Sequence, residues 1–210
     1  MNFTYVNDIE FELFKKFSAH DAYPIAVNLI EELVKLPGVQ QAEISGELRR
    51  GKSSIERIDI TLASKNLPEA VCQVLEAIGH ATILEQENEH LLLRLPSGIG
   101  LSIWFALPEC FVYTLLQSTG SEDHLAQLTR RAFIQGLEMN PKGLWKNGQM
   151  LKLSSEEAIY RTLELPWIPP ELRESSFDVE KAQELDLHNL LKESDIQSDL
   201  HIHSTWSDGR

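Results

Sequence analysis

The feature that most constrains this chain is a change of residue periodicity at Pro108. Ahead of it, short β-prone runs at 41–45, 57–63, 81–85, 90–95 and 100–106 alternate with stretches at 8–36 and 67–78 in which apolar residues recur at helical spacing. Strand side chains alternate between two faces, whereas helical side chains return to one face every 3.6 residues, so the two kinds of segment bury their apolar faces by packing as layers. The first half is expected to be a mixed α/β unit built on about five strands. Beyond Pro108 the pattern turns helical, at 109–117, 122–136 and 154–163, interrupted by a hairpin signal at Lys146-Asn147-Gly148. That predicts a second, smaller α+β lobe and gives the fold class as α/β (α+β).

Punctuation residues set the limits of these segments. Pro24 is expected in a first helical turn, and Pro37-Gly38 reads as a stop. Pro68 opens the helix at 67–78 and Gly79 closes it, while Asn88 and Pro96-Ser97-Gly98 mark turns between strands. Ser154-Ser155-Glu156-Glu157 resembles a helix-capping arrangement. The segment 166–198 holds Trp167-Ile168-Pro169-Pro170 and a strongly polar run, and reads as a docked linker with a weak helix at 179–191.

Composition narrows the function. With 42% apolar and 24% charged residues over 210 positions, the chain has enough material for one good core and a smaller lobe without staples. Its net charge of −13 works against non-specific attraction to nucleic acid, which depends on lysine and arginine displacing counterions. Short basic clusters at Arg49, Arg50 and Lys52 and at Arg130 and Arg131 read as solvated surface. Cys72 and Cys110 lie isolated in apolar stretches and read as buried, reduced thiols. No apolar run is long enough to cross a bilayer and no signal pattern opens the chain, so no membrane partner is expected and cytoplasm is the expected location.

Chemistry concentrates in one turn. Gly46-Glu47-Leu48-Arg49-Arg50-Gly51 separates the first two strands, and Ile58-Asp59-Ile60 follows on the second. A small residue lets backbone approach a triphosphate, arginine neutralises it, and carboxylates at alternate strand positions share one face from which they hold two metal ions. The segment 44–60 resembles the palm signature of the X-family DNA polymerases, the group that includes DNA polymerase beta. Leu107-Pro108-Glu109, Phe111, Thr119-Gly120-Ser121 and His124 resemble the palm-to-thumb junction of bacterial members. The segments 136–145 and 165–174 are similar to that family in the same order. Ser198-Asp199-Leu200-His201-Ile202-His203-Ser204-Thr205-Trp206-Ser207-Asp208-Gly209 resembles the first motif of a PHP phosphoesterase domain, with His201, His203 and Asp208 as an incomplete metal set. The resemblance implies a nucleotidyltransferase-type palm with a mixed sheet and a small thumb. The expected organisation is an N-terminal helical extension at 1–21, palm at 22–107, thumb at 108–174, linker at 175–198 and the start of a PHP domain at 199–210.

Carried across by position, the family's three metal-binding aspartates fall on Arg57, Asp59 and Ser102, so Asp59 alone remains. Glu47 stands where the family has a small hydroxyl residue at the triphosphate, and Leu125 where relatives carry asparagine near the incoming base. Gly46, Glu47, Arg50, Thr119 and Gly120 are the nucleotide-binding positions that the resemblance implies. Two-metal phosphoryl transfer needs carboxylates that bridge the ions, so the losses imply a degenerate site in which Arg57 and Asp59 pair on one strand face. No cofactor is expected in this chain. Magnesium or manganese belongs to the polymerase reading, and zinc or manganese to a complete PHP domain. The partner expected is the C-terminal PHP domain of a full-length protein, with weak DNA contact. Two alternatives stand beside this reading: an active template-dependent polymerase or nucleotidyltransferase, and a non-catalytic module that holds nucleotides or DNA ends through Arg49, Arg50, Arg130 and Arg131. His90, His124 and His188 read as ordinary polar or partly buried residues, and Trp104, Trp145 and Trp167 as packing residues.

Overall fold

The computed structural model describes residues 16–87, 89–140 and 142–174, together with positions 179, 182–184, 187, 195 and 198. The expectations for 199–210, His188 and most of 1–21 lie outside the described residues.

A short strand β1 (Phe17–Ser18) leads into helix α1 (Ala19–Leu33). The Ser18 hydroxyl caps that helix by accepting from the Asp21 amide at 3.2 Å, so it begins before the expected boundary at 21/22. Pro24 consequently lies inside the helix and not in its first turn, a correction set by the position of the cap. Strand β2 (Val39–Ser45) runs into a single helical turn, α2 (Gly46–Arg49), where the sequence had suggested only a turn. Next come β3 (Ser54–Ile55), which pairs with β1, and the long strand β4 (Arg57–Ser64). Helix α3 (Leu67–Ile78) has the predicted limits, with Pro68 in its first turn and Gly79 following at φ +68°. Strands β5 (Thr82–Gln86), β6 (His90–Arg94) and β7 (Gly100–Ala106) complete a five-stranded sheet of order β2-β4-β7-β6-β5. Only β4 and β7 pair in parallel, which makes the sheet mixed.

Strand alternation divides this sheet into two unlike faces. Ile58, Ile60 and Leu62 of β4, Leu101, Ile103 and Phe105 of β7, and Leu91 and Leu93 of β6 share a core with Ala22, Ala26 and Leu33 of α1 and Ala70, Val71 and Val74 of α3. Ala22 and Ala26, one helical turn apart and fully buried, let α1 lie close to the sheet. Each buried isoleucine or leucine contributes roughly 1.5–3 kcal/mol. The opposite face carries Asp59, Thr61 and Ser102 and is the polar side of the unit.

The second lobe follows a 3-10 turn at Pro108–Cys110. Helices α4 (Phe111–Thr119) and α5 (Glu122–Ile134) lead to a three-stranded antiparallel sheet of β8 (Glu138–Asn140), β9 (Gly143–Lys146) and β10 (Gln149–Met150). The predicted hairpin is present, with Asn147 at φ 52° and Gly148 at φ 76° as its two loop residues. Positive φ at both positions matches the right-handed twist of the strands that the loop joins. Helix α6 (Glu156–Thr162) is capped by Ser155, whose hydroxyl accepts from the Ala158 amide, and a 3-10 turn at Pro170–Leu172 follows. Tyr113, Leu116, Leu128, Leu144, Ile159 and Tyr160 centre this lobe's own core, which Val179 and Ala182 join.

Helix α4 belongs to both lobes. Phe111 and Leu115 pack on Ala63 of β4, whereas Tyr113 and Leu116 enter the second core. Among the described residues, no helix is long and apolar enough to cross a membrane.

Candidate functional site

Register brings the site together. In β2, β4 and β7 the residues Ser45, Asp59 and Ser102 stand opposite one another, so their side chains leave the sheet on the same polar face. Arg57, two residues before Asp59, emerges from that face at the end of β4. Its Nε donates to Asp59 Oδ1 at 3.1 Å. The two groups differ in exposure, because the Asp59 side chain is 5% exposed and the Arg57 side chain 45%. Burial pushes the Asp59 carboxyl above the ordinary carboxylate range. The Arg57 charge and hydrogen bond and a hydrogen bond from Ser102 pull it down without cancelling that effect.

Gly46 permits the approach of α2. It adopts φ +62°, and a β-carbon there would overlap the Asp59 carboxylate. The glycine is thus required by both backbone and neighbour. Ser45, just before it, is fully buried, and its Oγ has no hydrogen-bond partner among the described residues.

His90 enters the site from β6, a role that the sequence reading had not assigned. Its Nε2 lies 3.0 Å from Ser102 Oγ, its ring sits 4.2 Å from that of Trp104, and Glu85 Oε1 lies 3.8 Å from Nδ1. Burial lowers the His90 pKa, Glu85 opposes that shift, and Arg57 adds to it. Trp104, expected as a packing residue, lines the cleft. The signal available was strand parity: positions 102 and 104 face the same side as 59, and β6 pairs antiparallel with β7.

The cleft has a volume of about 530 Å³ and lies between the polar sheet face and the start of α5. Five carboxylates line it (Glu47, Glu56, Asp59, Glu122 and Glu174) against three cations, Arg50, Lys52 and Arg57. A polyanion entering it therefore meets an excess of like charge. Glu47 Oε2 accepts from the Glu56 amide at 3.2 Å, and Leu125 fills the space against Gly120.

The predicted nucleotide-binding arginine does not face this cleft freely. Arg50 donates through Nε to Glu174 at 2.7 Å and through a terminal nitrogen to the Thr119 carbonyl at 2.7 Å, and its side chain is 9% exposed. Arg49 makes two bonds of 2.9 Å to Glu156 and a third, of 3.0 Å, to Thr119 Oγ1. The reading of Arg49 and Arg50 as solvated surface is corrected: both reach across to the second lobe, where acceptors remote in sequence surround them. Arg173, fully buried, grips the same Glu156 with bonds of 2.7 and 3.0 Å and donates to the Ile168 carbonyl. Burial alone would raise the Glu156 pKa, but Arg173 and Arg49 together lower it to about 2. Beside this trio His124 Nε2 lies 2.8 Å from the Tyr160 hydroxyl. Its pKa is lowered to about 4, chiefly by burial and then by Arg173. Arg131, the other expected basic position with polar contacts, donates to the Leu163 carbonyl, whereas Arg130 is exposed. Cys72, expected to be buried, is exposed because it falls on the outer face of α3, and Cys110 is half-buried; both thiols are free.

Two-metal chemistry needs several oxygen donors around one point. Here Ser102 and Arg57 flank one carboxylate that is already bonded to a guanidinium, and this donor set does not fit a pair of divalent cations. Among the described residues, no group of three or more His, Cys, Asp or Glu side chains is placed to hold a metal ion. The proposed PHP ligands His201, His203 and Asp208 lie outside the described residues.

Residues 114–174 match the family model described as DNA polymerase beta thumb. Over 199 residues the chain is 30% identical to the DNA polymerase/3'-5' exonuclease PolX of Bacillus subtilis (strain 168), in an alignment that takes in 93% of this chain and 35% of that protein. The second lobe is thus similar to a polymerase beta thumb, and the mixed α/β architecture agrees with a polymerase beta-like palm and thumb. The chain spans only that 35% of its relative's length.

Proposed function

We propose that this chain is a catalytically degenerate X-family palm and thumb that serves as a structural or regulatory platform for a PHP phosphoesterase in a longer protein. The observation that carries the reading is the Arg57–Asp59 pair: a guanidinium sits 3.1 Å from the one remaining carboxylate of the family's metal-binding set. A divalent cation at Asp59 would face Arg57 at short range, a repulsion worth about 4 kcal/mol at 4 Å with an effective dielectric near 20 and more for a doubly charged ion. The bonds that occupy Arg50 and the excess of cleft carboxylates support the same conclusion. On this reading the chain needs no metal for its own role, DNA contact is weak, and the phosphoesterase chemistry resides in a complete PHP domain of the longer protein, of which the motif at 199–210 is the start. Its location as a cytoplasmic protein is part of the proposal.

Primer extension on a gapped duplex with magnesium or manganese tests the reading. No incorporation above background is expected. Extension by the unmodified chain that disappears in Asp59→Ala would overturn it and establish the active-polymerase alternative.

A further inference from the structure

Helix α5 ends on two large apolar side chains that the second core does not use. Its buried stripe runs through His124, Leu128 and Ala132, spaced four residues apart. Phe133 and Ile134 fall outside that stripe, because each helical step turns the side chain by about 100°. They are 80% and 70% exposed, more than any other large apolar residue among those described. The end of the helix is tied down, since Arg131 Nε and Gln135 Nε2 both donate to the Leu163 carbonyl at 3.0 Å. The ridge is therefore presented in a fixed shape, and little ordering is left to oppose binding there.

Two hollows flank this ridge. One, of about 520 Å³, lies on the Phe133 side and is lined by Leu137, Glu138, Met139 and Trp145. The other, of about 230 Å³, lies on the Ile134 side with Arg130 in its wall. Arg130 is exposed, and its guanidinium has no polar partner among the described residues. Glu138, also exposed, accepts one long bond, of 3.5 Å, from Asn140 Nδ2. A knob and a hollow thus lie side by side on one face, with a cation beyond the knob and a loosely held carboxylate at the hollow. A two-fold contact requires a surface that is complementary to itself, and this order of features is. Rotation about an axis between Phe133 and the larger hollow sets each copy's Phe133 into the other's hollow and each Arg130 against the other's Glu138.

We infer that this face is the contact of a weak two-fold homodimer, anchored by Phe133 and oriented by two Arg130–Glu138 pairs. The face supplies both halves of its own charge pairing, whereas a strongly acidic or strongly basic partner would meet like charge at Glu138 or at Arg130. The contact is weak on two counts. One aromatic anchor per copy buries about 150–250 Å², against about 800 Å² per partner in a stable interface. A net charge of −13 on each copy also opposes approach. The inference does not depend on how the cleft is read.

Sedimentation equilibrium of the 210-residue chain tests it, at about 0.15 M salt so that the net repulsion is screened beyond about 8 Å. Between about 5 μM and about 1 mM the average mass should climb reversibly from monomer toward dimer, with a dissociation constant on the order of 100 μM. Phe133→Asp, at an exposed position where folding is retained, should weaken association at least about tenfold. Arg130→Glu and Glu138→Arg should each associate about tenfold more weakly alone, yet an equimolar mixture of the two should dimerise, because the mixed pair restores both charge contacts. A chain that stays monomeric at about 1 mM overturns the inference and leaves the ridge to a foreign partner. Association that survives Phe133→Asp, or that the mixture fails to restore, overturns it as well.

Discussion

Asp59 feels two influences of different reach. Burial acts on its whole carboxylate, whereas Arg57 meets one oxygen and is itself half open to water, so the folded-state pKa lies above the ordinary one. A carboxyl whose pKa rises on folding contributes stability below its unfolded pKa, and that contribution is lost as pH climbs through the folded value. Asp59→Asn should therefore raise the melting temperature at pH 7 by about 2–4 °C, the equivalent of on the order of 1 kcal/mol in a chain of this size. The gain should shrink as pH falls into the carboxylate range; an unchanged or lower melting temperature at pH 7 counts against the account. Gly46→Ala should cost about 2–4 kcal/mol in denaturant unfolding, well beyond the usual glycine-to-alanine effect, because left-handed backbone and overlap with Asp59 act together. The placement of Arg57 beside Asp59 was legible in sequence, since strand period two is a local rule. His90 was not, because its partner Ser102 lies on a neighbouring strand whose register no local pattern gives.

Among elements, legibility followed the strength of local signals. Helix α3 had a proline at one end and a glycine at the other, and its limits could be read directly. Strand β8, with three residues, is too short to set a period and was missed. The links between lobes were invisible for a different reason: Arg49 and Glu156 are 107 residues apart, and nothing in either neighbourhood names the other. That trio of Arg49, Glu156 and Arg173 is also the joint most exposed to mutation. Glu156→Gln should destabilise the chain by about 3–5 kcal/mol, since it leaves buried Arg173 without a counter-charge. Denaturant unfolding checks this, and a loss below about 1 kcal/mol would show that water replaces the carboxylate at little cost.

The molecule as a whole should be sensitive to acid in two steps. His124, with its pKa lowered from 6.5 to about 4, supports the fold fully above pH 6.5 and loses that contribution as pH falls through 4. Glu156, lowered from 4.5 to about 2, supports it above 4.5 and fails as pH falls toward 2. Thermal scans across this range should show stability falling through both windows. His124→Gln should flatten the upper window and leave the lower; loss of the lower as well would mean that His124 sets the whole profile. With a net charge of −13 and Arg49 and Arg50 bonded internally, affinity for gapped duplex should be weak. Its dependence on salt should be shallow, with a logarithmic slope below about 2; a steep slope would reveal a basic surface elsewhere in the chain.

Helix α4 has a consequence for inheritance. One side of it packs on Ala63 of β4 through Phe111 and Leu115, and the other completes the second core through Tyr113 and Leu116. A gene that discarded either lobe would leave the survivor with a bare apolar stripe prone to aggregate, whichever side of the helix the deletion spared. The two lobes can only be kept or lost together. On the reading proposed above, a lineage that gives up nucleotide transfer still keeps the second lobe, because α4 also packs on β4.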